Sequence, residues 1–242
     1  MKLKYVTFTG VDTQTDLQQL KYLSADYSFI EWGVLVSSKP KIKTNSIVDA
    51  TAIFHDMKAN ASLSLHICGN LVPLAINFHP IIYELLSTIN AHADSCRVQL
   101  NFSHADHLVS IPQLQWFIKK MKCPVIIQIN KNNIAIPELI SNLSNLQYLF
   151  DSSGGRGKEI DVIPKLICDP EYPLHNNPLL NGYAGGISSD NLFSILGKIG
   201  GIVHPNNQIW IDMETSLRSM EYFDVSKCLN IINKLKDTTY VE

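Results

Sequence analysis

The sequence of 242 residues is nearly balanced in charge, with 20 Lys and Arg against 22 Asp and Glu. Because it contains no long run of like charge, we expect neither a nucleic-acid backbone nor a membrane surface as its partner. Five scattered cysteines without CxxC spacing argue against a disulfide framework and a structural zinc site. The apolar runs are too short to span a membrane, and the N-terminus does not resemble a signal peptide. We therefore expect a soluble, cytoplasmic protein with a single domain over residues 1–242.

Short apolar runs alternate with amphipathic helical segments along the chain. The predicted strands cover residues 5–9, 29–36, 63–67, 97–101, 125–129, 148–151, 182–184 and 208–212. The predicted helices cover residues 15–23, 46–59, 73–89, 111–120, 137–146, 188–198 and 225–236. The sixth crossover differs, because a short helix at 160–166 is followed by a loop at 168–178 that is rich in Pro, Asn and His. Eight strand-then-helix units at a spacing of about 30 residues predict a single (β/α)8 TIM barrel of the α/β class.

Polar residues alternate with apolar ones in several predicted strands, although a buried parallel strand is usually apolar throughout. Side chains two positions apart lie on the same side of a strand, so each polar set would point into the barrel. Buried polar groups need hydrogen-bond partners or a ligand, and we therefore expect a hydrophilic upper interior. These residues are Thr7, Thr9, Glu31, Ser64, His66, Cys68, Gln99, Asn101, Gln128, Asn130, Asp151, Asp212 and Glu214.

The sixth strand carries the first candidate for chemistry. Its apolar run ends at Asp151, and the glycine-rich loop that follows contains Gly154, Gly155 and Arg156. Active sites of (β/α)8 barrels lie at the C-terminal ends of the strands, so Asp151 is a candidate general acid or base. The alternative is a helix N-cap or a hydrogen bond that closes the loop. Arg156 and Lys158 would bind phosphate or carboxylate groups, or form a solvated face.

The two loops after the seventh and eighth strands suggest an anion site. Gly185 and Gly186 directly follow the seventh strand, and hydroxyl residues begin the next helix. Backbone N–H groups and the helix dipole often bind phosphate at this place in a barrel, and the alternative is a tight turn with an N-cap. Thr215, Ser216 and Arg218 follow the eighth strand and would add further donors. Phosphate is the ligand group that these two loops favour.

Other polar residues have more than one interpretation. Asp212 and Glu214 would bind a substrate hydroxyl or form a pair inside the barrel. His66 and Cys68 share one face of the third strand, so a thiolate promoted by the imidazole would act as a base or nucleophile, with inert packing as the alternative. A zinc site is a further alternative. Its additional ligands would follow the fourth strand, at His104, Asp106 and His107.

These loops resemble those of phosphoribosylanthranilate isomerase, the (β/α)8 enzyme of tryptophan biosynthesis. The family's sixth-strand pattern, an apolar run and Asp followed by GGTGK, corresponds to LFDSSGGRGK at 149–158. Its seventh-strand LAGGL corresponds to YAGGI at 183–187, and its eighth-strand VDVSSGVE corresponds to IDMETSLR at 211–218. Its fourth-strand VQLH corresponds to VQLN at 98–101. Order and spacing agree along the whole barrel.

The resemblance implies an intramolecular isomerase that carries out an Amadori-type, aldose–ketose rearrangement of a phosphorylated sugar or sugar-amine. In that family an Asp on strand six is the general acid and a Cys on strand one is the general base. The matching positions here are Asp151 and Thr9. Because a threonine hydroxyl cannot take a proton from carbon unaided, we consider Cys68 as the base, with His66 adjusting its ionisation.

The resemblance also implies the ligand and the residues that bind it. The partner would be a small phosphorylated substrate, no metal or organic cofactor is required, and the protein would be a monomer or homodimer. The alternatives are a non-catalytic phosphate-ligand binder, another phosphosugar epimerase or lyase of this fold, and a metal-dependent hydrolase. The binding residues would be Thr9, Gln99, Asn101, Gly154, Gly155, Arg156, Gly185, Gly186, Asp212, Glu214, Thr215, Ser216 and Arg218.

Overall fold

A closed barrel of eight parallel strands forms the centre of the molecule. The computed structural model describes residues 1–38, 44–102, 109–140, 143–151, 160, 162–165 and 180–241. The strands are β1 (Lys2–Thr9), β2 (Ile30–Val36), β3 (Ser62–Cys68), β4 (Cys96–Asn101), β5 (Val125–Ile129), β6 (Leu146–Asp151), β7 (Asn181–Ala184) and β8 (Gln208–Met213). Each strand pairs with the next, and β8 pairs with β1. The (β/α)8 fold predicted from the sequence is therefore confirmed.

Helices surround this barrel. They are α1 (Leu17–Asp26), α2 (Ile47–Met57), α3 (Leu71–Ile76), α4 (Pro80–Ala91), α5 (Ile111–Lys120), α6 (Ile136–Leu139), α7 (Leu192–Gly200) and α8 (Val225–Leu235). Between β8 and α8 lie a 3₁₀ turn (Thr215–Leu217) and a hairpin of β9 (Arg218–Ser219) and β10 (Tyr222–Phe223). The predicted loop at 168–178 lies outside the described residues. Within the described ranges, no helix is long and apolar enough to cross a membrane.

The main core lies between the strands and the helices. The outward-facing side chains of β1 and β2 are apolar and fully buried, as at Val6, Phe8, Trp32 and Val34. The rings of Phe8 and Trp32 are 5.5 Å apart between centroids, and the indole N–H of Trp32 donates to Ser24 Oγ at 2.8 Å. Removing such apolar surface from water is the largest favourable term in folding. It fixes which face of each strand points inward.

One helix predicted from the sequence, at 73–89, is divided into α3 and α4. Phe78 adopts a left-handed conformation with φ of 49°, and Pro80 occupies the first turn of α4. Proline has no N–H to continue the hydrogen-bond ladder of a preceding helix, and its fixed φ suits the start of a new one. His79 caps this start, because its Nδ1 accepts the N–H of Ile81 at 3.3 Å. The uninterrupted helix was therefore a wrong prediction.

The helix predicted at 137–146 is also shorter in the structure, where α6 has only 4 residues. The side-chain amide of Asn145 donates to the carbonyls of Ile118 and Met121 at 2.8 and 2.9 Å. These bonds hold Asn145, which directly precedes β6, against the C-terminal end of α5.

A small apolar cluster fills part of the barrel interior. It consists of Ile126, Leu149, Ala184 and Trp210, and it is separate from the outer core. The indole of Trp210 lies against β7 at Gly182, where an added Cβ would be 2.1 Å from indole Cε2. Glycine is therefore required for Trp210 to lie across the interior. The remaining inward positions are largely polar, and they form the floor and walls of the site.

Candidate active site at the C-terminal end of the barrel

Two aspartates face each other across one strand at the C-terminal end of the barrel. Asp151 on β6 is in register with Ala184 on β7, which is in register with Asp212 on β8. Neighbouring strands are about 4.8 Å apart, so the backbones of the two aspartates are separated by roughly 10 Å. Both side chains are buried. A small residue between two carboxylates leaves room for part of a ligand.

Asp212 is bound by the residue that ends β1. The hydroxyl of Thr9 donates to Asp212 Oδ1 at 2.6 Å, although the two residues are 203 positions apart. Burial raises the pKa of Asp212 to about 7, and the charges of Glu214, Glu31 and Asp151 add to this rise. The hydrogen bond from Thr9 acts in the opposite direction, because it stabilises the ionised carboxylate. Asp212 can therefore both accept and donate a proton near neutral pH.

Asp151 is held from the other side by β5. Gln128 Nε2 donates to Asp151 Oδ2 at 2.7 Å, and both side chains are buried. The amide fixes the carboxylate at the strand end, in the position predicted for a general acid. The glycine-rich loop that follows, with Gly154, Gly155 and Arg156, lies outside the described residues.

The imidazole of His66 on β3 is held by β4. Gln99 Nε2 is 3.2 Å from His66 Nδ1 and 3.0 Å from Asn101 Oδ1. Because the amide donates one hydrogen to each, Nδ1 is an acceptor and the imidazole proton is on Nε2. Burial and the charge of Arg97 lower the pKa of His66 to about 3, so the ring is neutral at physiological pH. Its Nε2–H has no hydrogen-bond partner among the described residues.

Cys68 lies one step further toward the mouth. Asn101 Nδ2 donates to Cys68 Sγ at 3.6 Å, so the thiol is linked to His66 through Gln99 and Asn101. Burial raises the pKa of Cys68 to about 12, and the charge of Glu214 contributes to the rise. At neutral pH the group is a thiol, which is a poor proton acceptor. This environment weighs against the base role considered for Cys68 from the sequence.

The loops after β7 and β8 meet through one hydrogen bond. Ser216 Oγ donates to the carbonyl of Ile187 at 2.6 Å. Gly185 and Gly186 have positive φ values of 117° and 59°, conformations that glycine adopts without strain. The backbone N–H groups of these glycines and of Thr215 and Ser216 make no hydrogen bond to another described residue. The two loops thus bring together unused donors of the kind that binds phosphate.

Arg218 lies after β8 and contacts the loop after β1. Its Nη2 is 3.7 Å from Glu214 Oε1, and its Nη1 donates to the carbonyl of Glu221 at 2.9 Å. An added Cβ on Gly10 would lie 2.9 Å from Nη2, so the guanidinium packs directly on the β1 loop. Arg218 is only 8% exposed. The structure thus places the Arg218 guanidinium against Glu214, rather than leaving it in solvent.

The floor of the site is a buried ion pair that was not predicted from the sequence. Arg97 Nε donates to Glu31 Oε1 at 2.7 Å, and Nη1 donates to Gln147 Oε1 at 2.9 Å. The guanidinium lies 4.6 Å from the ring centroid of Tyr5 and 4.4 Å from that of Trp210. A charged residue at the inward position of β4, two before Gln99, was the signal that could have revealed it.

The zinc interpretation lacks ligands in the part of the chain that is described. No group of three or more His, Cys, Asp or Glu side chains converges there as a metal site. His104, Asp106 and His107 lie outside the described residues.

Comparisons with known proteins identify solved structures that have a similar fold. No protein-family model matches the chain, and no curated protein matches its sequence significantly. A phosphoribosylanthranilate isomerase from Thermotoga maritima is 17% identical with a TM-score of 0.60, and the match covers 98% of this chain and 100% of that chain. The enzyme from Thermus thermophilus is 16% identical with a TM-score of 0.57, over 96% and 98%.

A third structure of the same enzyme contains a ligand, reduced 1-(o-carboxyphenylamino)-1-deoxyribulose 5-phosphate. It is 14% identical with a TM-score of 0.58, and the match covers 98% of this chain and 100% of that chain. At such identities the likeness is one of fold. The chain therefore shares the (β/α)8 fold of phosphoribosylanthranilate isomerase structures, as the resemblance of its sequence implied.

Proposed function

We propose that the protein is an isomerase similar to phosphoribosylanthranilate isomerase, which converts a phosphorylated sugar-amine by an Amadori-type rearrangement. The observation that carries this proposal is the pair of Asp151 and Asp212 on either side of Ala184. The loops after β7 and β8 begin directly beside this pair. The same fold holds a phosphorylated sugar-amine derivative in a similar structure, which supports the choice of substrate class.

In this mechanism the phosphate binds to the loops after β7 and β8. Gly185, Gly186, Thr215 and Ser216 donate their backbone N–H groups, and the turn dipoles favour the negative charge. Glu214 lies beside this site, and its pairing with Arg218 at 3.7 Å offsets its repulsion of the phosphate. The phosphate thereby fixes the sugar carbons relative to the two aspartates.

Asp151 acts as the general acid. Its proton passes to the ring oxygen of the sugar, the bond from C1 to that oxygen breaks, and the nitrogen lone pair forms an iminium ion. A base then removes the proton from C2, and the electron pair of that bond forms the enol-amine. Gln128 orients Asp151 for the first step. The Nε2–H of His66, neutral and without a partner among the described residues, is available for a substrate oxygen.

A fluorescence assay with phosphoribosylanthranilate tests this function, because the substrate loses its emission on rearrangement. We expect turnover by the wild type and a loss of about 10²- to 10⁴-fold in kcat for Asp151→Asn, the range typical for a general acid. Asp26→Asn, which changes an exposed carboxylate on α1, is the matched control. No turnover, together with sulfate bound between the loops after β7 and β8 in a crystal, would leave a phosphate-ligand binder in place of the isomerase.

A phosphosugar epimerase is the second candidate, and the same carboxylate pair favours it. Two acid–base groups on opposite sides of a carbon atom remove a proton from one face and return it to the other. Incubation with pentulose 5-phosphates in deuterium oxide distinguishes the two functions. Inversion with deuterium incorporation, in the absence of turnover of phosphoribosylanthranilate, would favour the epimerase.

A further inference from the structure

The proposed isomerisation needs a base for the C2 proton, and the end of β1 does not supply one. Thr9 occupies the position where the resemblance implies a cysteine, and its hydroxyl is too weak an acid to be ionised near neutral pH. Its hydrogen instead points to a neighbouring carboxylate. The donor–acceptor distance of 2.6 Å from Thr9 Oγ1 to Asp212 Oδ1 is short for a hydroxyl bond to an oxygen.

We propose that the base of the reaction is Asp212 on β8, and that Thr9 is a positioning residue that holds this carboxylate. The inference deepens the proposed function and rests on it. β1 and β8 are neighbours in the barrel wall, so the base is displaced by one strand from the position of the family's cysteine. Oδ1 is engaged by Thr9, and Oδ2 is left for the substrate.

The packing of β2 holds Thr9 in place for this role. An added Cβ on Gly33 would lie 2.3 Å from Thr9 Oγ1 and 2.9 Å from Thr9 Cα. Any larger residue at this position would push the hydroxyl away from Asp212. Thr9 itself is 1% exposed. The hydroxyl is thus confined between β2 and β8, with Asp212 as its acceptor.

The charges around Asp212 suit a base that works near neutral pH. Burial disfavours its ionised form most, and Glu214 beyond β8 and Glu31 on β2 add to this effect. Asp151 on β6 adds to it only in the state in which Asp151 has lost its own proton. Two cations partly offset the negative charge of these carboxylates, because Arg97 on β4 pairs with Glu31 and Arg218 lies 3.7 Å from Glu214. Burial and the neighbouring carboxylates still raise the pKa of Asp212 to about 7. A base is most effective when its pKa lies near the working pH.

The proton balance closes with these groups alone. Asp151 gives its proton to the ring oxygen and becomes a carboxylate. Asp212 begins as a carboxylate and takes the proton from C2, while the electrons of the C2–H bond move into the C1–C2 bond and those of the iminium bond return to nitrogen. The pair ends with its proton on the other aspartate. Exchange with solvent resets both groups, and no oxidant or reductant is consumed.

The test combines kinetics and pH profiles of the full chain with phosphoribosylanthranilate as substrate. We expect Asp212→Asn to lower kcat by about 10²- to 10⁴-fold with a small change in KM. Thr9→Val keeps the shape of threonine but removes the hydrogen bond that lowers the pKa of Asp212. The basic group seen in the profile of kcat/KM should therefore titrate at higher pH in Thr9→Val, and at the wild-type pH in Thr9→Ser.

The opposite results would overturn the inference. They are a kcat of Asp212→Asn within about threefold of the wild type, or a profile that does not move in Thr9→Val. Should Asp212→Asn fail to fold, the comparison of Thr9→Val with Thr9→Ser still decides. The proposed function fails in a different way, because the wild type itself would then show no turnover. Carbon-13 NMR of the ligand-free protein, labelled at aspartate, tests for a carboxyl that titrates near pH 7 and is missing in Asp212→Asn.

Discussion

Inside the barrel, the lower layer around Arg97 and the upper layer around Asp212 contain similar residue types but differ in their pairing. In the lower layer, Arg97 and Glu31 share two hydrogen bonds, and the aromatic rings of Tyr5 and Trp210 lie against the guanidinium. In the upper layer, Asp212 is buried among other carboxylates, and His66 Nε2 has no partner among the described residues. The buried charges of the lower layer are therefore paired with opposite charges, whereas the carboxyl of Asp212 in the upper layer has no such partner among the groups named here.

This difference separates a structural role from a functional one. A buried ion pair whose hydrogen bonds are satisfied fixes the interior and leaves no donor for a ligand. Buried groups with displaced pKa values and unused donors are destabilising by themselves, and they concentrate at functional sites. The lower layer therefore supports the site, and the upper layer is where chemistry is expected.

The largest effect is expected in the lower layer. Arg97→Met should reduce the free energy of unfolding by about 3–5 kcal/mol, because it leaves the carboxylate of Glu31 buried without its cation. Urea unfolding monitored by circular dichroism measures the loss.

The double variant Arg97→Met, Glu31→Leu is the matched control for this experiment. It removes both charges, so it should be more stable than Arg97→Met alone. If the double variant were the less stable of the two, the pair would not be the compensated unit that the geometry indicates.

The lower layer also shows what the sequence could and could not predict. Alternation identified Glu31 and Gln99 as inward-facing residues, and all eight strands were found because short apolar runs alternate with helical segments. Arg97 was missed as a partner of Glu31, because 66 positions separate them and only closure of the barrel brings them together. Periodicity reports the face on which a side chain lies, and not what it meets there.

The upper layer shows the same limit. The sequence placed Asp151 and Asp212 at strand ends, where the structure also has them. It did not show that Thr9 binds Asp212, since this contact depends on the pairing of the first strand with the last. The ionisation states of Cys68 and His66 could not be predicted from the sequence either. Burial is the largest cause of the pKa shift of each group, and burial depends on how several elements pack together.

The second prediction concerns the charge of Asp212. Its pKa in the folded protein, about 7, is above the ordinary 3.8, so its contribution to stability is fully present below pH 3.8 and is lost as the pH rises through about 7. Asp212→Asn does not titrate. Relative to the wild type, this variant should therefore become more stable by about 3 kcal/mol between pH 5 and pH 8, an order-of-magnitude value.

Chemical unfolding at both pH values measures this change, and Asp26→Asn on the surface is the control. A stability difference between the wild type and Asp212→Asn that is the same at pH 5 and pH 8 would show that the carboxyl does not titrate in this interval. Asp212 would then lack the raised pKa that distinguishes the upper layer.

The third prediction concerns His66, whose pKa is displaced in the other direction. The folded-state value of about 3 is below the ordinary 6.5, so the contribution to stability is present above pH 6.5 and is lost as the pH falls toward 3. His66→Gln has no imidazole to protonate. Between pH 6.5 and pH 5, the wild type should therefore lose about 2 kcal/mol relative to this variant.

Thermal or urea unfolding at the two pH values measures the difference for His66→Gln. His204→Gln, which removes an exposed imidazole, is the matched control. Equal losses in the wild type and in His66→Gln would mean that the imidazole accepts a proton freely in the folded state. The assignment of its proton to Nε2, with Gln99 as donor to Nδ1, would then have to be abandoned.

The smallest effect is expected for Cys68, although it lies in the upper layer. With a pKa of about 12, about one molecule in 10⁵ carries the thiolate at pH 7, so we expect the group to act as neither a base nor a nucleophile there. Cys68→Ser should leave turnover of phosphoribosylanthranilate within about threefold of the wild type, far from the loss of about 10²-fold or more expected for Asp212→Asn. Steady-state kinetics of the two variants, measured side by side, make this comparison. A loss in Cys68→Ser as large as that in Asp212→Asn would assign the base to the thiol, since a serine hydroxyl keeps the size and the hydrogen bond from Asn101 but cannot ionise.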